Sequence, residues 1–223
     1  MNTRPMMAAV RGAVFSMLTA LMHGNGQTAG TFPPALRWLD LFAGTGAVGI
    51  EAASRGCEAV HFVELDPWVI QHCLQRNLEF TRTGGGAMVH NMTVEAFIAG
   101  AATSLRAAGD APFDFISVCP PYEKVSYPEL LSSLEASPLL RPGTMVVVEY
   151  PKYERKNITD RIGRLEKIRD RAYGRTLVAI YECLDANESS PRRDAEALYD
   201  EEESDYDEDE EEGEEGDADA ADR

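Results

Sequence analysis

Three glycines spaced G-x-G-x-x-G (Gly44, Gly46 and Gly49) stand directly behind the apolar run Leu36 to Leu41, and a helical pattern opens at once after them. A strand, a tight turn and a helix start, in that order, form a β-α unit whose backbone N–H groups face a nucleotide-like ligand. Glycine suits the turn because a side chain would stand between backbone and ligand, and because such turns often demand positive φ.

The same alternation continues on both sides of the turn. The spacing predicts a helix over 6–22, with Val10, Val14, Phe15 and Leu18 on one face. A strand over 36–41 leads to a helix over 47–55. The strand 59–64 precedes a helix from Pro67 to about Thr81, where proline fits the first turn. A short strand near 87–90 and a helix over 93–107 follow, then a strand over 113–118, a helix over 128–137 and a strand over 144–149. The last two strand patterns, near 165–169 and 176–184, have no helix between them. They predict a hairpin whose final strand runs antiparallel at or near the sheet edge. The expected fold is α/β, with a mostly parallel sheet covered by helices on both faces.

The net charge of −17 is not spread over the chain. Residues 185–223 carry 20 Asp/Glu against 3 Arg, whereas residues 1–184 carry 18 of each sign. A segment so charged and so poor in apolar residues buries too little surface to offset its ordering entropy. Residues 1–184 are therefore expected to form one domain, and 185–223 a disordered acidic tail. That tail is either a solvated appendage or an attractor for basic partners. Cys57, Cys73, Cys119 and Cys183 are scattered, without a C-x-x-C pair, which suits a reducing compartment. The histidines lack metal-ligand spacing, so no metal is expected, and no apolar run is long enough to span a membrane.

Two cofactors compete for the glycine turn. NAD and S-adenosylmethionine both call for an acid at the end of the second strand, and Glu64 meets either need. Three features favour S-adenosylmethionine. Asp40, in the strand before the glycines, would attract an amino or sulfonium cation and repel a pyrophosphate. The fourth strand ends in Cys119-Pro120-Pro121-Tyr122, and the chain closes on a hairpin.

These segments together resemble the RsmD-like methyltransferases, which modify the exocyclic N2 of a guanine in small-subunit ribosomal RNA. The resemblance covers residues 3 to about 184. It rests on Arg4-Pro5 with Val10-Arg11 and Phe15, on Asp40 through Ala52, and on Ser54-Arg55-Gly56. It rests also on Phe62 through Asp66 with Asn77-Leu78, on Pro120-Pro121-Tyr122, and on Tyr173-Gly174-Arg175-Thr176. The resemblance implies the Rossmann-like class I S-adenosylmethionine-dependent methyltransferase fold, with a seven-stranded, mostly parallel sheet and an antiparallel last strand. It implies S-adenosylmethionine as cofactor, held by Arg4, Asp40, Phe42, Ala43, Gly44, Thr45, Gly46, Gly49, Glu64, Leu65, Thr93 and Val94. It implies as partner the ribosomal RNA of a small subunit or assembly intermediate, met by a monomer, with basic ribosomal proteins as partners for the tail.

In such proteins the residue before the two prolines and the first proline's carbonyl accept hydrogen bonds from the target amine, and the aromatic residue stacks on the base. Cys119, Pro120, Pro121 and Tyr122 occupy those positions. Here the chain departs from the family, which has Asp (or Asn in relatives acting on other amines) where Cys119 stands. A thiol is a weak acceptor. Three readings stand: Pro120's carbonyl accepts alone; the domain is a weakly active or non-catalytic binder of S-adenosylmethionine and RNA that serves ribosome assembly; or Cys119 is a nucleophile of the cytosine-C5 type, a chemistry that usually has a different Pro-Cys order. Thr93 replaces a usual Asp or Asn, with Asn91 a near alternative. Basic residues for RNA are few, with Lys152, Arg155 and Lys156 clustered after the fifth strand. The acidic tail and the altered motif point to a chloroplast or other organelle, with a bacterial cytoplasm as the alternative.

Overall fold

The computed structural model describes residues 5–22, 31–33, 35–108, 111–122 and 125–185, without side chains for 102–108. Arg4, Lys124 and the acidic tail from residue 186 onward lie outside the described residues.

Eight strands form one sheet: β1 (Arg37–Leu41), β2 (Ala59–Glu64), β3 (Ala87–Asn91), β4 (Phe115–Val118), β5 (Met145–Pro151), β6 (Arg161–Ile162), β7 (Leu165–Tyr173) and β8 (Thr176–Cys183). Their order is β3-β2-β1-β4-β5-β8-β7-β6. The first five are parallel, and β8 pairs antiparallel with both β5 and β7. The expected seven strands are thus joined by the two-residue β6, which pairs with one end of β7. β8 is antiparallel, as its hairpin requires, and lies near the edge of the sheet, with β7 and the short β6 outside it. Its burial explains the position. Seven of the eight residues in Thr176–Cys183 are buried, on both faces, so the strand is covered above, below and on both sides. β7 instead carries Glu166, Lys167, Arg169, Asp170 and Arg171, a composition suited to an outer strand that must not pair further.

The helices are α1 (Ala8–Met22), α2 (Ala47–Ser54), α3 (Pro67–Val69), α4 (Gln75–Thr81), α5 (Val94–Ala108) and α6 (Tyr127–Glu135). The expected helix over 67–81 is continuous, but a π-helical turn, Ile70–Leu74, joins α3 to α4. Such turns carry one extra residue and recur at functional sites. A 3-10 segment, Lys152–Asn157, follows β5.

Strand alternation sends successive side chains to two cores. Leu39 and Leu41 of β1 join Ile116 and Val118 of β4 under α5 and α6. Trp38, Val60, Phe62 and Phe115 join α1, α2 and α4 on the other face. There Val10, Val14, Phe15 and Leu18 are all buried, as the helical spacing required. Trp38 stacks between Phe15 and Phe115, with ring centroids 5.1 Å from each.

Gly49 marks the place where α2 presses on β2. A Cβ there would stand 2.3 Å from Phe62 Cε1 and 3.0 Å from Val60 Cγ1. Gly49→Ala should therefore cost about 1–3 kcal/mol, as overpacking does, and lower the denaturant midpoint. An unchanged midpoint would contradict this close approach.

Candidate cofactor and substrate site

β1 pairs with β2 on one side and β4 on the other, and the strand order reverses between β1 and β4. Crevices at the carboxyl ends of strands beside such a reversal are where open α/β sheets bind ligands. Three of the segments singled out in the sequence emerge there. The glycine turn leaves β1, Glu64 closes β2, and Cys119 through Tyr122 follows β4.

The turn is held in left-handed backbone at Phe42 (φ 61), Gly44 (φ 53) and Gly46 (φ 80). Two backbone bonds close it: Ala43 N–H donates to the Val63 carbonyl at 3.0 Å, and Gly46 N–H to the Ala43 carbonyl at 2.8 Å. The two glycines differ in what surrounds them. A Cβ on Gly46 would meet Leu74 Cδ1 at 2.3 Å, whereas among the described residues one on Gly44 would find only the Phe42 carbonyl oxygen, at 3.9 Å. Gly44 thus fronts open space, as a backbone cradle for a ligand must. Asn77 on α4 braces the turn by donating from Nδ2 to the Thr45 carbonyl at 2.9 Å.

Glu64 is coupled to the same loop. Its Oε2 accepts from Gly44 N–H at 2.8 Å and its Oε1 from Asp66 N–H at 2.9 Å. Asp66 in turn caps α3 by accepting from Trp68 N–H. Asn91, at the end of β3, donates to the carbonyls of Glu64 and Leu65 and fixes the rim. Leu65 and Trp68 are largely exposed there, at 61% and 60%.

Asp40 lies beneath the turn, 1% exposed. Its Oδ1 accepts from the Ser117 hydroxyl at 2.6 Å and its Oδ2 from Gly49 N–H at 3.0 Å. Trp38 Nε1 donates to the same Ser117 oxygen at 2.9 Å. Burial pushes the Asp40 carboxyl up to about 7, against the downward pull of its two hydrogen bonds. The residue therefore ties β1, β4 and the start of α2 together from inside.

The fourth-strand segment meets a residue the motif does not include. Val118 is paired with Val148, so Cys119 and Glu149 leave adjacent parallel strands side by side. Glu149 Oε1 accepts from the Tyr122 hydroxyl at 3.1 Å, and that hydroxyl lies 3.3 Å from Thr176 Oγ1. Cys119 and the Glu149 carboxylate therefore act on one another electrostatically. Burial, then the charges of Glu149 and Asp40, push this thiol well above its ordinary value, so it stays protonated at neutral pH. It is not poised as a nucleophile. Pro120 is buried and Pro121 exposed.

Thr93 acts locally. Its Oγ1 accepts from Ala96 N–H at 3.1 Å and caps α5. Val94 follows it and is buried. Among the basic residues, Arg11 and Arg55 are paired with Glu51, and the Arg55 guanidinium lies over the Phe15 ring. Lys152, Arg155 and Lys156 share the 3-10 segment after β5.

The structure thus brings together Asp40, Phe42 through Gly46, Gly49, Glu64 and Leu65 around the glycine turn, and Cys119 through Tyr122 after the neighbouring strand β4. Sequence reading misses Ser117 and Glu149, and singles out Thr176 only as part of the hairpin motif. Ser117 leaves one signal, a hydroxyl inside the apolar strand Phe-Ile-Ser-Val.

The family described as conserved hypothetical protein 95 matches residues 1–182. YlbH of Bacillus subtilis, named as an rRNA methyltransferase, is 32% identical over 180 residues, covering 81% of this chain and 88% of that protein. Ribosomal RNA small subunit methyltransferase D of Escherichia coli is 32% identical over 111 residues, 50% of this chain and 51% of that protein. A conserved hypothetical protein of Streptococcus pyogenes has the same architecture, with a TM-score of 0.64 at 28% identity over 80% of this chain and 98% of that one. The fold likeness extends to SMU.776, solved with SAH, at TM-score 0.55 and 14% identity over 68% of this chain and 46% of that one. With the sheet order, the glycine turn and the Pro-Pro-Tyr segment, these matches define the fold as that of the S-adenosylmethionine-dependent methyltransferases and establish that the chain belongs to the RsmD-like family of ribosomal RNA methyltransferases.

Proposed function

We propose that the protein transfers a methyl group from S-adenosylmethionine to the exocyclic N2 of a guanine in small-subunit ribosomal RNA. One observation carries the reading. The cradle at Gly44, the acid at Glu64 and the Cys119–Tyr122 segment open from neighbouring strands at one reversal of the sheet, so a donor on the first two faces an acceptor at the third.

The residues fit the donor. Gly44 leaves room for close backbone approach. Glu64 holds two backbone N–H groups and has acceptor capacity for vicinal ribose hydroxyls. Phe42, Ala43, Thr45 and Gly46 shape the turn around it, with Asp40 and Gly49 supporting from beneath. Leu65, Thr93 and Val94 border the adenine side, and Arg4 is assigned to the same site by the family resemblance. S-adenosylmethionine supplies a methyl already activated on a sulfonium.

What remains for the protein is to hold the amine in line and to favour the charge that builds on nitrogen, and position contributes much of the rate. Pro120 offers its carbonyl as acceptor, and Tyr122 offers its ring to the base. A guanine inside helical RNA has to be swung out to reach them. Lys152, Arg155 and Lys156, on the segment after β5, suit phosphate contacts that fix register rather than read sequence.

The test is methyl transfer from labelled donor to unmodified small ribosomal subunits, followed by digestion to nucleosides. N2-methylguanosine is the expected product. A methylated adenosine would overturn the substrate assignment. Absence of incorporation, with donor binding intact, would leave an assembly factor that binds without catalysis.

A further inference from the structure

Within the proposed activity, one piece of chemistry is missing from the Cys-Pro-Pro-Tyr segment: an anionic acceptor beside the target amine. Cys119 supplies a protonated thiol instead. Its neighbour across the register, Glu149, stands at the same end of the sheet. Glu149 is half-buried, near the close of a strand otherwise reading Met-Val-Val-Val-x-Tyr-Pro. A carboxylate at that position interrupts an apolar run, and its cost of desolvation is offset here by a donor on a neighbouring element of the crevice. The Tyr122 hydroxyl reaches it from the segment after β4. Cys119 follows Val118, whose register partner is Val148, and so lies beside it at the same end of the sheet. Thr176, from the start of β8, meets the same tyrosine hydroxyl.

We propose that Glu149 is the catalytic acceptor of this site: its carboxylate takes a hydrogen bond from the exocyclic amine of the target base, the role that an acid at position 119 has in relatives. A carboxylate offers about four lone-pair sites, so it can accept from an amine as well as from Tyr122. Tyr122 then also acts as a positioning residue, because it donates to Glu149 and orients it, while Cys119 flanks it as an uncharged neighbour. Thr176 holds Tyr122 in turn. The chemistry balances without any further reactant. The nitrogen lone pair forms the new C–N bond, the S–C bonding pair stays on sulfur as the sulfonium becomes a neutral thioether, and the proton shed by nitrogen passes to the Glu149 carboxylate and on to water. This assignment rests on the activity proposed above, so its test includes a reading that needs no turnover.

The experiment compares wild type with Glu149→Gln and Glu149→Ala, each checked by thermal melting. The first reading is the binding of two short RNAs in the presence of S-adenosylhomocysteine, one with guanine at the target position and one with inosine, which lacks the amine. Wild type should prefer guanine about tenfold or more, near the worth of one hydrogen bond to a charged group. Glu149→Ala should lose the preference, and Glu149→Gln, which keeps a neutral acceptor, should retain part of it. The second reading is the single-turnover rate at saturating RNA, expected to fall about 100-fold or more in Glu149→Ala, with Cys119→Asp restoring at least tenfold in that background. Donor affinity should stay within about threefold throughout, a small change on the scale of tenfold per 1.4 kcal/mol. Unchanged guanine preference in both folded variants overturns the assignment, whether or not wild type transfers methyl groups. A wild type that prefers guanine but transfers nothing overturns the activity and keeps Glu149 as the amine's acceptor. Should Glu149→Ala fail to fold, Glu149→Gln decides alone, and an undiminished preference and rate there overturn the assignment.

Discussion

Replacing Glu64 with alanine weakens the binding of S-adenosylmethionine about 100-fold, because two hydrogen bonds to a charged acceptor, at about 1.5–3 kcal/mol each, are lost together. The effect has two sources that reinforce each other. The carboxylate closes β2, and in the proposed function it takes the ribose hydroxyls. It also holds Gly44 N–H at 2.8 Å, so its removal frees the backbone of the cradle that the donor must meet. Glu64→Gln keeps an acceptor but loses the charge, and should weaken binding about tenfold, near the loss of one such bond. Calorimetric titration of the folded variants checks both values. An alanine variant that binds within about threefold of wild type, less than the worth of one such bond, would remove Glu64 from the site and, with it, the donor's assigned orientation.

Converting Asp40 to asparagine should abolish a pH dependence of stability. The buried carboxyl holds its proton up to about 7, whereas an unfolded chain releases it near the ordinary value of 3.8. Between those values the folded protein binds a proton that the unfolded chain has lost. Stability therefore falls as pH rises from about 4 through 7, and is level above. A difference of that size corresponds to about 4 kcal/mol at full burial. Asparagine satisfies the same neighbours without the charge. Its amide oxygen accepts from Gly49 N–H, and its NH2 group donates to Ser117 Oγ, which turns its proton toward the Leu39 carbonyl 3.4 Å away. The variant should match wild type near pH 4 and exceed it at about pH 8, above the raised value. Denaturant unfolding at a series of pH values reads the difference. Parallel curves for the two proteins would mean that Asp40 is ionised at no cost, and that the support beneath the turn is not as dry as its burial implies.

Much of this site is legible in the sequence alone. Gly44, Gly46, Gly49 and Glu64 sit on consecutive elements, and local spacing carries their signal. The bounds of β2 follow from a β-rich run, Ala59 to Glu64, stopped by an acid and by Pro67. Other features depend on which strands meet. Glu149 is 27 residues from Tyr122, and only the register Val118 to Val148 makes them neighbours. No spacing rule couples two strands separated by a helix. Likewise, a hairpin can add to a sheet with either arm inward. The uninterrupted apolar run Leu-Val-Ala-Ile-Tyr in β8 is the available clue that this arm is the covered one. The π-helical turn leaves no trace in the sequence, because one extra residue within a helix alters neither its composition nor its ends.

The position of β8 bears on how the protein is made. β5 gains its second neighbour only from Thr176–Cys183, a strand synthesised after every other strand of the sheet. A nascent chain that has emerged only as far as β7 leaves the outer side of β5 open, with an apolar ribbon ready to pair with whatever is near. The same late strand brings Thr176 to the Tyr122 hydroxyl. Translation thus delivers one wall of the candidate crevice after the other strands. Until then the domain is an open half-sheet on the surface of the ribosome that is making it, and only afterwards is the candidate site assembled.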